Sequence, residues 1–193
     1  MNFLAHLFLS STSDDALIGA LLGDFVKGPL TDGYPRDVMH GIRLHRRIDV
    51  FTDAHPAVLA SKSRVTPVRR RYAGIMVDMF YDHFLARRWD DYADEDLASF
   101  VRRVYALMNA RRDEFPERLQ RMTPPMIEFD WLGSYREVDS IGVALDRMGR
   151  RLTRGNGLLG SAEDLVRDYA GFEQDFRTFF PDVMAFARSQ VAG

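Results

Sequence analysis

The chain of 193 residues is 46% hydrophobic and 28% charged, which supports a packed core and excludes global disorder. Its net charge of −2 excludes an overall basic field for nucleic acid, and the lack of cysteine excludes disulfides, thiolate metal ligands and a cysteine nucleophile. The apolar start from Met1 to Leu9 lacks a basic leader and breaks at Ser10-Ser11-Thr12-Ser13, and no window approaches the roughly 20 apolar residues of a membrane span. The expected address is the cytoplasm, with no membrane contact.

Helical periodicity runs nearly throughout, and alternating strand patterns between turn signals are absent. Asn2 is placed to cap a short first helix. Ser13 or Asp14 caps a second, with Leu17, Ile18, Leu21 and Leu22 on one face and Gly28-Pro29 as its stop. The segment from Thr31 to Pro35 reads as a loop. A third helix runs from about Asp37 to Asp53, buries Leu44, Ile48 and Phe51, and ends before Pro56. A short helix covers Ala57 to Arg64. A long one follows Pro67 to about Trp89, with Ile75, Met79 and Phe80 inward. The next, from Asp94 to about Asp113, carries the stripe Leu97, Phe100, Val101, Val104 and Leu107, after which Pro116 and Pro124-Pro125 punctuate the chain. Glu137 to Leu152 and Ser161 to about Ala187 are the last two long helices, joined by the turn Gly155-Asn156-Gly157. With no internal repeat or linker, the expectation is one all-α domain, a helical bundle spanning residues 1–193.

Five histidines fall within the first 83 residues, several on segments that otherwise read as core helix. Carboxylates on apolar faces are costly unless paired, protonated or bound to metal. Asp24 continues the stripe of Leu17 and Leu21, and it sits at a helix C-terminus, where the dipole disfavours a negative charge. A nearby cation would resolve both conflicts; rotation into solvent is the plainer alternative. His6 lies among apolar residues, as a core histidine or as a ligand. His45 and Asp49 are four apart and share a helix face, and Asp53 extends that row toward His55. Such a pair serves one metal, or the Asp orients the His, or the two form a surface pair. Asp78 and Asp82 repeat the spacing, which is unfavourable for like charges unless something positive lies between them; His83 points about 100° away. A divalent cation held by these groups would acidify water and neutralise phosphoryl charge, and oxygen and imidazole donors without thiolate suit Mn²⁺ or Mg²⁺.

Arg43, Arg46 and Arg47 flank the His45 run, and Lys62, Arg64 and Arg69 to Arg71 follow. They read either as a solvated helix face or as a positive surface for an anionic substrate or acidic partner. Aromatic residues do not interleave with the arginines as a nucleic-acid stacking surface requires.

Four blocks, Met1-Asn2-Phe3-Leu4-Ala5-His6-Leu7, Leu21-Leu22-Gly23-Asp24-Phe25-Val26-Lys27-Gly28, the run from Gly41 to Pro56, and Asp78-Met79-Phe80-Tyr81-Asp82-His83-Phe84-Leu85-Ala86, resemble the acyl carrier protein phosphodiesterase family in content and order. The resemblance implies an all-α fold related to the HD phosphohydrolases. It implies Mn²⁺-dependent hydrolysis of the phosphodiester linking 4'-phosphopantetheine to a serine of holo-acyl carrier protein. Carried onto this sequence, it makes Asp24, His6 and His83 the expected catalytic groups. Asp24, His45, Asp49, Asp78 and Asp82 become the expected metal ligands, and Arg43, Arg46, Arg47, Asp53 and His55 the expected substrate-binding set. The usual HD order, a His, then an adjacent His-Asp, then a distant Asp, is not present as such; Asp82-His83 is a reversed doublet. Two alternatives stand beside this reading: a metal phosphohydrolase acting on nucleotides, with no need of a protein-docking rim, and a non-catalytic helical binding module whose His and Asp are structural.

Overall fold

The computed structural model describes residues 1–30, 33–151 and 157–191. Thr31 and Asp32 of the expected loop, Leu152 at the expected helix end, and Gly155 and Asn156 of the expected turn lie outside the described residues. Among the described residues there is no strand, and the helices enclose one continuous hydrophobic core, as an all-α bundle requires.

The first helix, α1 (Phe3–Leu9), is capped from elsewhere. Asn2 makes no side-chain cap; instead both carboxylate oxygens of Asp82 accept from the first-turn amides of Leu4 (2.8 Å) and Ala5 (3.1 Å). Helix α2 (Asp14–Leu22) begins at Ser13, whose Oγ accepts from the Ala16 amide at 3.1 Å. It packs on α3 (Arg36–Ala54) at a close crossing made of glycines. A Cβ on Gly41 would stand 2.5 Å from the Ala16 carbonyl oxygen, and one on Gly19 would stand 2.7 Å from Gly41 Cα. Backbones can approach this closely only where both side chains are missing.

Helix α4 (Pro56–Arg64) places Pro at its first position and uses His55 Nδ1 to accept from the Ala57 amide. Arg64 at its end donates to Asp168 and Asp175, tying α4 to the C-terminal helix. The long helix expected after Pro67 starts later: 67–72 is a tighter 3₁₀ turn, and α5 spans Ala73–Arg87. Met79 and Phe80 are inward as expected, but Ile75 is half exposed. From Met76 to Ala86 nearly every residue of α5 is buried, so this helix is central to the bundle.

After α6 (Leu97–Ala110), Pro124 and Pro125 do not break the chain but lie inside α7 (Glu117–Glu128). Pro124 cannot donate to the Gln120 carbonyl, and the Arg112 guanidinium donates to it instead at 3.0 Å. Two further helices follow, the single-turn α8 (Trp131–Ser134) and α9 (Val138–Gly149). The expected last helix is divided at Asp168 into α10 (Ala162–Arg167) and α11 (Tyr169–Val191). Phe172, Phe176, Phe179 and Phe180 of α11 are fully buried, and Phe172 and Phe176 meet Phe80 and Tyr81 of α5 edge to face. None of the helices is long and apolar enough to cross a membrane, among the described residues.

Candidate active site

Three helices bring four side chains together. Helix α1 supplies His6, the turn after α2 supplies Asp24, and α3 supplies His45 and Asp49 one turn apart. The two imidazoles stack, with centroids 3.6 Å apart and planes 11° from parallel. Asp49 meets both rings: Oδ1 lies 3.0 Å from His6 Nε2 and Oδ2 lies 3.4 Å from His45 Nε2. Asp24 Oδ1 is 3.6 Å from the same His45 nitrogen.

His45 is oriented from behind. Its Nδ1 lies 2.8 Å from the Ala20 carbonyl oxygen, which can only accept, so the Nδ1 proton is fixed there and Nε2 faces the carboxylates. That arrangement is the usual backing of a metal-ligating histidine. His6 is buried, and neither ring nitrogen has an aligned hydrogen-bond partner; the 3.0 Å approach of Asp49 to Nε2 is out of line for a hydrogen bond. A buried imidazole left without partners is costly, and a cation facing its lone pair would satisfy it. One donor atom from each of His6, His45 and Asp49 fits within 4.8 Å of the others, so the cluster is compatible with a divalent metal.

The charges interlock. Burial pushes His6 down to about 4, and the neighbouring His45 pushes the same way, so His6 is a neutral donor near pH 7. Burial opposes charge on His45 too, but hydrogen bonding and attraction from Asp24 and Asp49 prevail and raise it to about 9. Asp49, despite the upward push of burial, is held well below the ordinary carboxylate range by His45 and His6. Asp24 is lowered in the same sense, burial again opposing and His45 prevailing. With side chains 48% and 43% exposed, Asp24 and Asp49 form the open side of an otherwise buried cluster.

The other expected residues are placed differently. Asp78 faces the α-amino group of Met1 at 3.0 Å, which also stands 3.9 Å from Asp49 and supplies positive charge beside both carboxylates. Asp82 is wholly buried and committed to the α1 amides, so it anchors the helix that carries His6 and does not face the cluster. His83, expected as a catalytic group, turns the other way: Nδ1 lies 2.9 Å from the Tyr135 carbonyl oxygen and Nε2 lies 2.9 Å from the Tyr169 hydroxyl. Arg46 donates to the carbonyls of Val26 and Gly28 and so pins the turn after α2. Arg43 and Arg47 are exposed on α3, Arg47 beside an apolar groove floored by Val50, Phe51 and Phe186. Asp53 pairs with Lys62 at 2.8 Å, and His55 caps α4 and meets Asp182 at 3.2 Å, so neither reaches the cluster. Sequence reasoning missed the Ala20 carbonyl and the Met1 amine, which are main-chain groups with no residue-type signal.

An all-α body that holds two imidazoles and two carboxylates in one half-open cluster defines the class: a helical protein with a site suited to a divalent cation. The sequence model of the family described as "Acyl carrier protein phosphodiesterase" matches residues 1–183. The chain is 40% identical over 191 residues to the acyl carrier protein phosphodiesterase of Enterobacter sp. (strain 638), covering 98% of this chain and 99% of the relative. To that of Photorhabdus laumondii it is 36% identical over 191 residues, covering 98% and 96%. To that of Salmonella paratyphi A it is 39% identical over 188 residues, covering 97% of each. No solved structure matches the chain. The chain belongs to the acyl carrier protein phosphodiesterase family, a family of hydrolases.

Proposed function

We propose that this chain, as one catalytic domain over residues 1–193, hydrolyses the phosphodiester joining 4'-phosphopantetheine to a serine of holo-acyl carrier protein. The observation that carries the reading is the His6–His45–Asp49 cluster, set in a chain whose residues 1–183 match this family. These three residues would hold a divalent cation, Mn²⁺ or Mg²⁺, with Asp24 at its edge. The relation to HD phosphohydrolases and a cytoplasmic address belong to the same proposal.

A bound cation would supply Lewis acidity, lowering the pKa of water and neutralising charge on a phosphoryl oxygen. The remaining work falls to the protein. Ala20 keeps the His45 proton on Nδ1, leaving Nε2 as the donor atom. Burial keeps His6 neutral, so its lone pair is available near pH 7. Asp49 spans both rings and fixes their separation. Asp24, kept ionised by His45 and half exposed, orients an incoming water through its carboxylate oxygens. Water oxygen attacks phosphorus, the bond from phosphorus to the serine oxygen breaks, and the serine oxygen leaves with a proton. The products are the free serine hydroxyl and 4'-phosphopantetheine as a phosphate monoester. Exposed Arg43 and Arg47 give the carrier, an acidic protein, a positive approach.

The test is to incubate the purified protein with holo-acyl carrier protein, with and without Mn²⁺ and chelator, and to weigh both products. Apo-carrier with an intact serine is the expected product, formed only with the ion. Dehydroalanine in the carrier would mean elimination and refute hydrolysis.

A further inference from the structure

The turn that closes α2 meets His45 at three points. The Ala20 carbonyl holds Nδ1 at 2.8 Å, Asp24 Oδ1 stands 3.6 Å from Nε2, and between them Gly23 is packed against the ring itself. Gly23 has ordinary right-handed helical angles, φ −51° and ψ −39°, so no backbone strain demands glycine here. The demand is spatial. A Cβ at Gly23 would lie 2.5 Å from both Cδ2 and Nδ1 of His45, and closer still to Cγ. Near-equal distances to Cγ and its two ring neighbours put that Cβ over a ring face, and the ring is also stacked on His6. The atoms in the way are a rigid ring held by two neighbours, not the free end of a flexible side chain, so an added methyl must push the imidazole out of place.

We infer that Gly23 is a positioning residue: its missing side chain is the slot that holds the His45 imidazole in the cation-binding cluster. The inference rests on His45 belonging to that cluster. It separates Gly23 from Gly19 and Gly41, whose missing side chains admit backbone at the crossing of α2 and α3, and from Gly74, around which nothing lies within 4 Å.

The experiment compares the full chain as wild type, Gly23→Ala, His45→Ala, the double variant Gly23→Ala/His45→Ala, and Gly74→Ala as a control. Mn²⁺ alone is the probe, its binding read by the paramagnetic resonance of free Mn²⁺, and each protein is also melted in chelator. Gly23→Ala should bind Mn²⁺ roughly 10–100-fold more weakly, the loss typical when a metal ligand's support is removed. Gly74→Ala should match wild type. On the His45→Ala background the alanine at position 23 should cost no further affinity, and the double variant should melt higher than Gly23→Ala alone because the clash is gone. Wild-type affinity in Gly23→Ala, or no recovery of melting temperature in the double variant, would overturn the inference. If the wild type itself bound no Mn²⁺, the cation reading of the cluster would fail, and the melting comparison would still decide whether Gly23 is the slot for His45.

Discussion

The imidazoles of His6 and His45 lie face to face at 3.6 Å, and they are held in opposite protonation states. Burial and the positive neighbour take His6 down to about 4, while Asp24 and Asp49 outweigh burial and take His45 up to about 9. A second proton on the stack would place like charges in contact, so the pair carries one. A cation must displace that one proton, because only a neutral imidazole is a ligand. Mn²⁺ affinity should therefore rise about tenfold per pH unit from neutral pH up to about 9, the raised value of His45, and then level off. Calorimetry in two buffers of different ionisation enthalpy should show close to one proton released per ion at pH 7. Affinity that does not change over this range would mean that His45 is not displaced by the ion.

Asp49 touches both rings, so it should be the most sensitive member of the cluster. A ligand that binds only the folded state stabilises by about 2.7 kcal/mol at 100 times its Kd, a rise of roughly 5–10 °C in melting temperature for a chain of this size. The wild type should show that rise with Mn²⁺. Asp49→Ala should lose it, and Asp24→Ala, which removes a contact at the open edge, should keep part of it while losing activity. An equal Mn²⁺-induced rise in wild type and Asp49→Ala would place the ion elsewhere.

Arg43 and Arg47 are exposed, whereas Arg46 is engaged with the carbonyls of Val26 and Gly28. Only the first two are free to steer a carrier. Arg43→Glu with Arg47→Glu should lower kcat/KM on acyl carrier protein roughly tenfold or more at low salt, through KM, with the gap to wild type narrowing as salt screens it. Turnover of a small phosphodiester should be unchanged. Arg46→Glu should instead lower stability by freeing the turn that holds Asp24. Equal losses on protein and small substrates for the Arg43/Arg47 variant would favour a nucleotide-type substrate over a carrier.

Local spacing made part of this site legible. His45 and Asp49 are one helical turn apart, and any helix through them puts both on one face. Asp24 was marked by its conflict with the helix dipole, and the helix end places it beside His45. Partners across the fold were not legible. Asp78 and Asp82 share the same spacing, yet one faces the Met1 amine and the other the amides of α1, choices set by packing between segments far apart in sequence. His83 was an expected catalytic group, and nothing in its spacing pointed to Tyr135 and Tyr169, the partners that surround it. Pro124-Pro125 read as a break because the Arg112 side chain that relieves α7 comes from outside the helix.

Asp82 offers the sharpest test of how α1, and with it His6, is anchored. It is fully buried; burial raises its carboxyl to about 7, even though the Leu4 and Ala5 amides pull it down. Its ordinary value is 3.8, so the folded state holds the proton more tightly than the unfolded chain does. The stabilisation this brings is complete below about 3.8 and is lost as pH rises through about 7, at no more than about 1.4 kcal/mol per pH unit. His6 acts in the opposite sense: its lowered value gives stability that is present above 6.5 and lost as pH falls through about 4. The two trends overlap and partly cancel in the wild type, so they must be separated by difference. Asp82→Asn cannot ionise and should show a constant offset from a mismatched amide, with no titration of its own. The stability of wild type minus that of Asp82→Asn, measured by urea unfolding in chelator, should therefore fall steadily between pH 4 and 7 and flatten above. A level difference would show that the Asp82 carboxylate is already ionised throughout, held by the helix amides alone, and that burial does not govern this anchor.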